Sequence, residues 1–285
     1  MAAENQRYKG IIAVIIASLL WSTGGIFIKM IDWNPVAISG SRSLVAALVL
    51  LAYNKKPKIT KSKPQIYGAI SYALTVLIFV IANKLTTAAN VILLQYTAPI
   101  FVAILGIKFL KEKIHWYDII AIVVVFSGMI LFFIDNVSTG NLIGNILGVL
   151  SGLTLACTTI ALKLHKDESA IDTTLIGNLI TFIVAIPFIL MSMPSLKSII
   201  VIIIMGVFQL GISYIFYTYA IGKLTALEAI LFTVIEPLLN PVWVYIFDGE
   251  KPGKFAILGG IIVIIAVVTR SIYISKLGDE LDAKS

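Results

Sequence analysis

The sequence predicts an all-α integral membrane fold: ten transmembrane helices, arranged as two inverted five-helix repeats around a central cavity. Three observations lead there. Of the 285 residues, 59% are hydrophobic and only 13% charged, and mean hydropathy is +1.00. A soluble domain is about half apolar and about a quarter charged, so too few charges remain here to solvate a surface in water. Apolar stretches of roughly 20 residues, the length that crosses a hydrocarbon core ~30 Å thick, follow one another along the whole chain. Landmarks of the first half also recur, in order, in the second.

Span 1, at 10–31, follows Arg7 and Lys9 as a signal peptide would. It runs on with no small-residue cleavage site and is therefore expected to be retained. Charged or turn-forming breaks then delimit spans at 35–53, 65–83, 87–110 and 116–134. The second five fall at 142–163, 172–193, 198–221, 225–247 and 254–274. The weakest break is 83–90, where only Asn83, Lys84, Thr86 and Thr87 interrupt the apolar run. The loops are short, and none could hold a catalytic domain. The single cysteine, Cys157, lies in span 6. It can form no intrachain disulfide and reads as a small buried core residue.

A net charge of +7 would suit a nucleic-acid binder. Here, however, the basic residues sit in short loops between apolar spans, where they face anionic lipid. The expected partners are membrane lipid and a small-molecule substrate, with no nucleic acid; oligomeric state is left open. Of 22 Lys and Arg, placing the N-terminus inside leaves only Lys29, Lys84, Lys197, Lys251 and Lys254 outside. The cluster Lys55, Lys56, Lys58, Lys61 and Lys63 then falls in one inside loop. This bias predicts an inner or plasma membrane protein with both termini in the cytoplasm.

Lys84-Leu85-Thr86, Ile92-Leu93, Pro99 and Glu112-Lys113 reappear as Lys223-Leu224-Thr225, Ile230-Leu231, Pro237 and Glu250-Lys251. One deleted residue restores register. More weakly, Gly10 to Lys29 matches Gly144 to Lys163. The repeats are expected over 1–138 and 139–285. Five spans is an odd number, so the second copy enters the membrane from the opposite side. Such inverted repeats let one site face either side in turn.

Trp21 in span 1, Arg42 in span 2 and the Pro99-to-Glu112 pattern resemble the EamA branch of the drug/metabolite transporter superfamily. Glu228-Ala-Ile-Leu, Glu236-Pro237 and Gly249-Glu250 are similar to its most recognisable signature. The resemblance covers nearly the full chain. It implies a ten-helix basket whose cavity is lined mainly by spans 1, 3, 4, 6, 8 and 9. It is a poor guide to substrate, because the family handles amino acids, amines, nucleotide derivatives and drugs. Small multidrug-resistance relatives carry an essential Glu in their first span; span 1 here has none, which argues against simple cationic-drug antiport.

Polar groups inside the membrane are costly and mark function. Glu236 lies mid-span, with Thr233, Asn240 and Trp243 on the same helical face. Desolvation penalises a charged carboxylate, which makes Glu236 the proton-coupling candidate; the alternative is a structural Glu capped by its neighbours. Pro237 and Pro241 each free a carbonyl one turn back, tolerable only if protein, water or ligand satisfies it. Substrate-binding candidates elsewhere are Tyr72, Thr75, Phe79 and Asn83 on span 3, and Gln209, Ser213 and Tyr217 on span 8. Gln95 with Pro99 on span 4 and Trp21 on span 1 complete the set. The hydroxyl stripe Ser151, Thr154 and Thr158 of span 6 reads as helix packing. Arg42 could bind a substrate carboxylate or pair with an acid; the resemblance favours a structural charge. Glu228, at the start of span 9, also reads as structural.

Enzyme signatures are missing. His115 and His165 are the two histidines, both in expected loops, and no Gly-rich phosphate loop follows a strand. No catalytic residue, metal or cofactor is expected. The reading is a secondary transporter that moves a small amino-acid-like or amine-bearing metabolite by alternating access, with export as the lead direction. A multidrug or organic-cation exporter is the alternative, and an integral-membrane lipid-modifying enzyme the reading from a different class.

Overall fold

A computed structural model describes residues 2–134, 141–164, 170–239, 242–243, 246 and 253–282. Among the described residues, nine helices are long and apolar enough to cross a membrane. They are Glu4–Met30, Pro35–Tyr53, Lys63–Leu85, Ala88–Leu110, Trp116–Phe133, Leu142–Leu164, Ala170–Met191, Leu196–Ile221 and Lys254–Leu277. The remaining span, the ninth in chain order, opens with Ala226–Phe232 and Ile235–Leu238. Part of its predicted second half lies outside the described residues, including Asn240 and Pro241. Span ends agree with the expected ones to within a few residues, except at the chain's two termini and at the end of span 9, which lies outside the described residues. At the termini helix starts at Ala2 and runs to Asp282, because polar residues emerging into water need not stop it.

The starts of the spans are fixed by side-chain caps. The Asn34 side chain accepts from the Val36 and Ala37 amides, with Pro35 opening the first turn. Ser62, Thr87, Ser195 and Thr225 each accept from the amide three residues on, satisfying donors that a helix start leaves unpaired. At the weak 83–90 break, helix persists through Leu85, Thr86 is extended, and Thr87 caps the next helix.

Three spans are broken at mid-length. Span 1 turns at Ser22–Thr23, span 4 at Tyr96–Thr97, and span 9 at Thr233–Val234. Pro99 and Pro237, equivalent in the repeat, lie just past the second and third breaks. Each removes the donor that would bond the carbonyl four residues back. The Thr233 carbonyl accepts from the Tyr96 hydroxyl at 2.5 Å. At the Gln95 carbonyl, span 6 approaches through Gly152, where a Cβ would sit 2.7 Å from the oxygen. In span 8, Met205–Ile212 forms a π-helical stretch between two α-helical ones, a wider turn that recurs at functional sites.

The repeated sequence makes repeated contacts at opposite ends of the molecule. At the face carrying the N-terminus, Gly10 of span 1 packs on Leu224 and Lys223. At the other face, its counterpart Gly144 of span 6 packs on Leu85 and Thr86. Lys163 donates to the carbonyls of Ile221 and Leu224, at 2.9 and 2.6 Å. Its counterpart Lys29 donates to the Thr86 carbonyl at 3.0 Å. Each ammonium ties down the linker before a broken span.

Elsewhere the helices approach closely through small residues, the usual mode of packing in lipid. Spans 5 and 10 meet where a Cβ on Gly259 would lie 2.5 Å from the Phe132 nitrogen and the Gly128 oxygen. Gly222 is different: its nearest neighbour would be 3.5 Å away. Gly259→Ala should therefore destabilise the protein in detergent by about 1–3 kcal/mol, and Gly222→Ala should change its stability by less than about 0.5 kcal/mol. Equal effects in a thermal melt would contradict this packing.

Candidate substrate cavity

The breaks in spans 1, 4 and 9 converge on one cavity. Its walls include Trp21 from span 1, Thr75 and Phe79 from span 3, Gln95 and Tyr96 from span 4, and Leu155 from span 6. Arg42 of span 2, Gln209 and Tyr214 of span 8, and Thr233 and Glu236 of span 9 complete them. About 70 Å³ is open to water there, several times the ~10–15 Å³ that a single water needs. Both halves of the chain contribute.

One side is closed by aromatic rings. Trp21 lies 5.2 Å from Tyr214 and 5.0 Å from Tyr217, and Tyr72 meets Tyr214 edge-on at 4.7 Å. The hydroxyls beneath are spoken for: Asn178 donates to Tyr72 at 2.9 Å, and Tyr217 and Thr159 share a bond of 2.8 Å. Both tyrosines are fully buried. They pack behind Trp21 and Tyr214 and do not line the cavity.

Of the predicted substrate residues, the structure places Trp21, Thr75, Phe79, Gln95, Gln209, Thr233 and Glu236 on the cavity. It does not place Tyr72, Asn83, Ser213 or Tyr217 on its wall. Asn83 is fully buried and donates back to the Phe79 carbonyl, and Ser213 donates to the Gln209 carbonyl. The π-helical stretch explains the span 8 outcome. It delays the helical register, so Leu210 and Tyr214 follow Gln209 along the wall instead of Ser213 and Tyr217. Trp243 donates from its indole to the Ser22 hydroxyl at 2.8 Å, bracing the break in span 1. Asn240 lies outside the described residues.

Arg42, expected to be a structural charge, lines the cavity from a span the resemblance did not include. Tyr96 was missed although it adjoins Gln95; a phenol that can reach a carbonyl freed by Pro237 was the available signal. No described residue donates a hydrogen bond to the Glu236 carboxylate, and no cluster of three metal-ligating side chains occurs among the described residues. In span 6, Ser151, Thr154 and Thr158 donate to carbonyls of their own helix.

Glu228 lies at the N-terminal face, where Arg7 donates to it through Nε at 2.9 Å and Nη2 at 2.5 Å. Its repeat counterpart Asn90 donates at the other face to Asn145, at 3.0 Å. Glu112 accepts from the Ala226 amide at 3.1 Å, capping span 9 from the other half of the chain.

A membrane-embedded helical basket with broken helices around a mid-depth cavity, polar groups set in a largely apolar wall, is the build of a solute transporter. The sequence profile of the EamA-like transporter family matches residues 8–134 and again 142–271, and the chain belongs to that family. It is 22% identical to an "uncharacterized transporter" of Archaeoglobus fulgidus, over 92% of this chain and 96% of that one. It is 24% identical to one from Clostridium kluyveri, over 91% and 92%. A solved crystal structure shares the fold, with a TM-score of 0.78 over 94% of this chain and 98% of that one, at 13% identity.

The Arg7–Glu228 pair joins the first half to the second and is largely shielded from water. Arg7→Gln and Glu228→Gln should each destabilise the protein, and the double variant by less than their sum. The coupling energy from the cycle is expected to be about 1–3 kcal/mol. Strict additivity would show that the pair holds nothing together.

Proposed function

We propose that this transporter moves a small organic metabolite, amino-acid-like or amine-bearing, across the cytoplasmic membrane by alternating access. Export is the proposed direction, with both termini in the cytoplasm. The observation that carries the reading is the cavity wall: one carboxylate, Glu236, without a donor among the described residues, beside amide, hydroxyl and indole groups contributed by both repeats. A carboxylate so placed attracts an ammonium group when ionised and releases it when protonated. Glu236 would thereby couple solute movement to a proton. The two repeat-equivalent contacts at opposite faces supply what alternation requires, since either can part while the other holds. An organic-cation exporter is the second reading; the Arg42 guanidinium in the same wall works against it by charge.

Reconstituted protein in liposomes tests this directly, with radiolabelled amino acids and amines as solutes and an imposed pH gradient as the drive. Wild type should move at least one of them, faster with the gradient than without. Glu236→Gln should bind it roughly 10–100-fold less tightly, the ~1.5–3 kcal/mol of a hydrogen bond to a charged group. Wild-type affinity for an ammonium-bearing solute should fall as pH drops, because protonation removes the carboxylate charge. The variant's affinity should not follow pH. Gradient-driven transport that survives in Glu236→Gln would remove Glu236 from the coupling role.

A further inference from the structure

We infer that the cavity carries an oxyanion subsite at Arg42, so that the transported solute bears a carboxylate. This deepens the transporter reading above and rests on it. Arg42 is only 2% exposed, yet it lines the cavity. A guanidinium stays charged in proteins, and a charge held out of water is retained only when paired or used. Arg42 has no ion-pair partner among the described residues. Its Nη1 donates to the Gln209 side-chain oxygen at 3.0 Å, and its Nε is buried without a partner among the described residues.

The unused edge has a definite shape. Nε and Nη2 point the same way along one side of the guanidinium plane, and that pair of donors matches the two oxygens of a carboxylate. Gln209 occupies the other side. It is itself held, because its amide nitrogen donates to the Trp21 carbonyl at 3.3 Å. The fork is therefore oriented by a side chain that cannot readily turn away.

The local backbone makes room for this arrangement. A Cβ on Gly24 would fall 2.0 Å from the Gln209 nitrogen, and one on Gly206 would fall 2.7 Å from the Arg42 carbonyl oxygen. The π-helical stretch Met205–Ile212 carries Gln209 into that gap. Three departures from ordinary helix packing thus serve one pair of side chains. With Glu236 in the same cavity, the walls present a cation and an anion, the complement of a solute carrying both a carboxylate and an ammonium group.

The test uses the full chain in nanodiscs and chemically matched probes. L-leucine, L-phenylalanine, L-threonine and L-lysine are each compared with their amides, and leucine also with isoamylamine and isovalerate. Binding and thermal shifts are recorded at constant ionic strength. At least one amino acid should bind ten times or more tightly than its own amide. Arg42→Lys, which keeps the charge but loses the fork, should bring that ratio close to one. Gln209→Met should reduce it as well, because the fork is then no longer oriented. A purely structural Arg42 would lower the melting point in these variants and leave the ratio untouched.

Amides and amines binding as tightly as the amino acids would overturn the subsite. Failure of every carboxylate probe to bind would overturn it too, as would equal shifts from chloride or sulfate alone. If amines bind without the carboxylate and Glu236→Gln abolishes that binding, the transporter reading stands and only the subsite falls.

Discussion

Hydrocarbon offers no partner to a peptide N–H or C=O, so a chain that crosses it must satisfy its backbone internally. Nearly every feature of this fold follows from that constraint. Unbroken helices meet it by themselves, including spans 2, 3 and 6, which also line the cavity. Spans 1, 4 and 9 do not, because each turns at mid-depth. Their loosened carbonyls are tolerated only where other protein groups reach them, as Tyr96 reaches Thr233. The breaks must therefore face inward and lie together. A cavity with polar groups in its wall is the result, and its position is a consequence of backbone chemistry before any solute is considered.

Duplication gives the same logic at both faces. Lys29 and Lys163 each anchor a linker that precedes a broken span, and Gly10 and Gly144 let a neighbouring helix start press against that linker. The two ends differ in what reinforces them. Around Glu228 the reinforcement is ionic, through Arg7, with the Ser271 hydroxyl also accepting from Arg7 at 3.0 Å. Around Asn90 it is a set of neutral amides and a threonine hydroxyl. A charged joint is screened by salt and answers to nearby charge in a way that a neutral one does not, so the two ends of this symmetric scaffold are not energetically interchangeable.

Most of the architecture was legible in the sequence, because span length and the recurrence of Lys-Leu-Thr, Pro and Glu-Lys are properties of the chain read in one dimension. The cavity was legible where helices are regular. Thr75 and Phe79 lie on one face at ordinary spacing, and Glu236 announces itself as an acid within an apolar run. It was not legible where geometry departs from the α-helix. No residue pattern signals that span 8 widens through Met205–Ile212, so Ser213 and Tyr217 were expected where Leu210 and Tyr214 stand. Arg42 was misjudged for a different reason. Whether a buried charge meets a partner depends on what folds against it, and that information lies 167 residues away at Gln209.

The pairing of Gly10 with Leu224, and of Gly144 with Leu85 and Thr86, also bears on how the protein is made. Chains emerge N-terminus first, so the first half enters the bilayer before either partner for these joints exists. Until span 6 arrives, Asn90 lacks Asn145; until the linker to span 9 follows, Arg7 lacks Glu228 and Glu112 has no helix start to cap. The nascent half thus carries unfinished polar surfaces at both faces of the membrane. Its assembly is completed from opposite sides at two separate moments of translation, the later one closing the face where synthesis began.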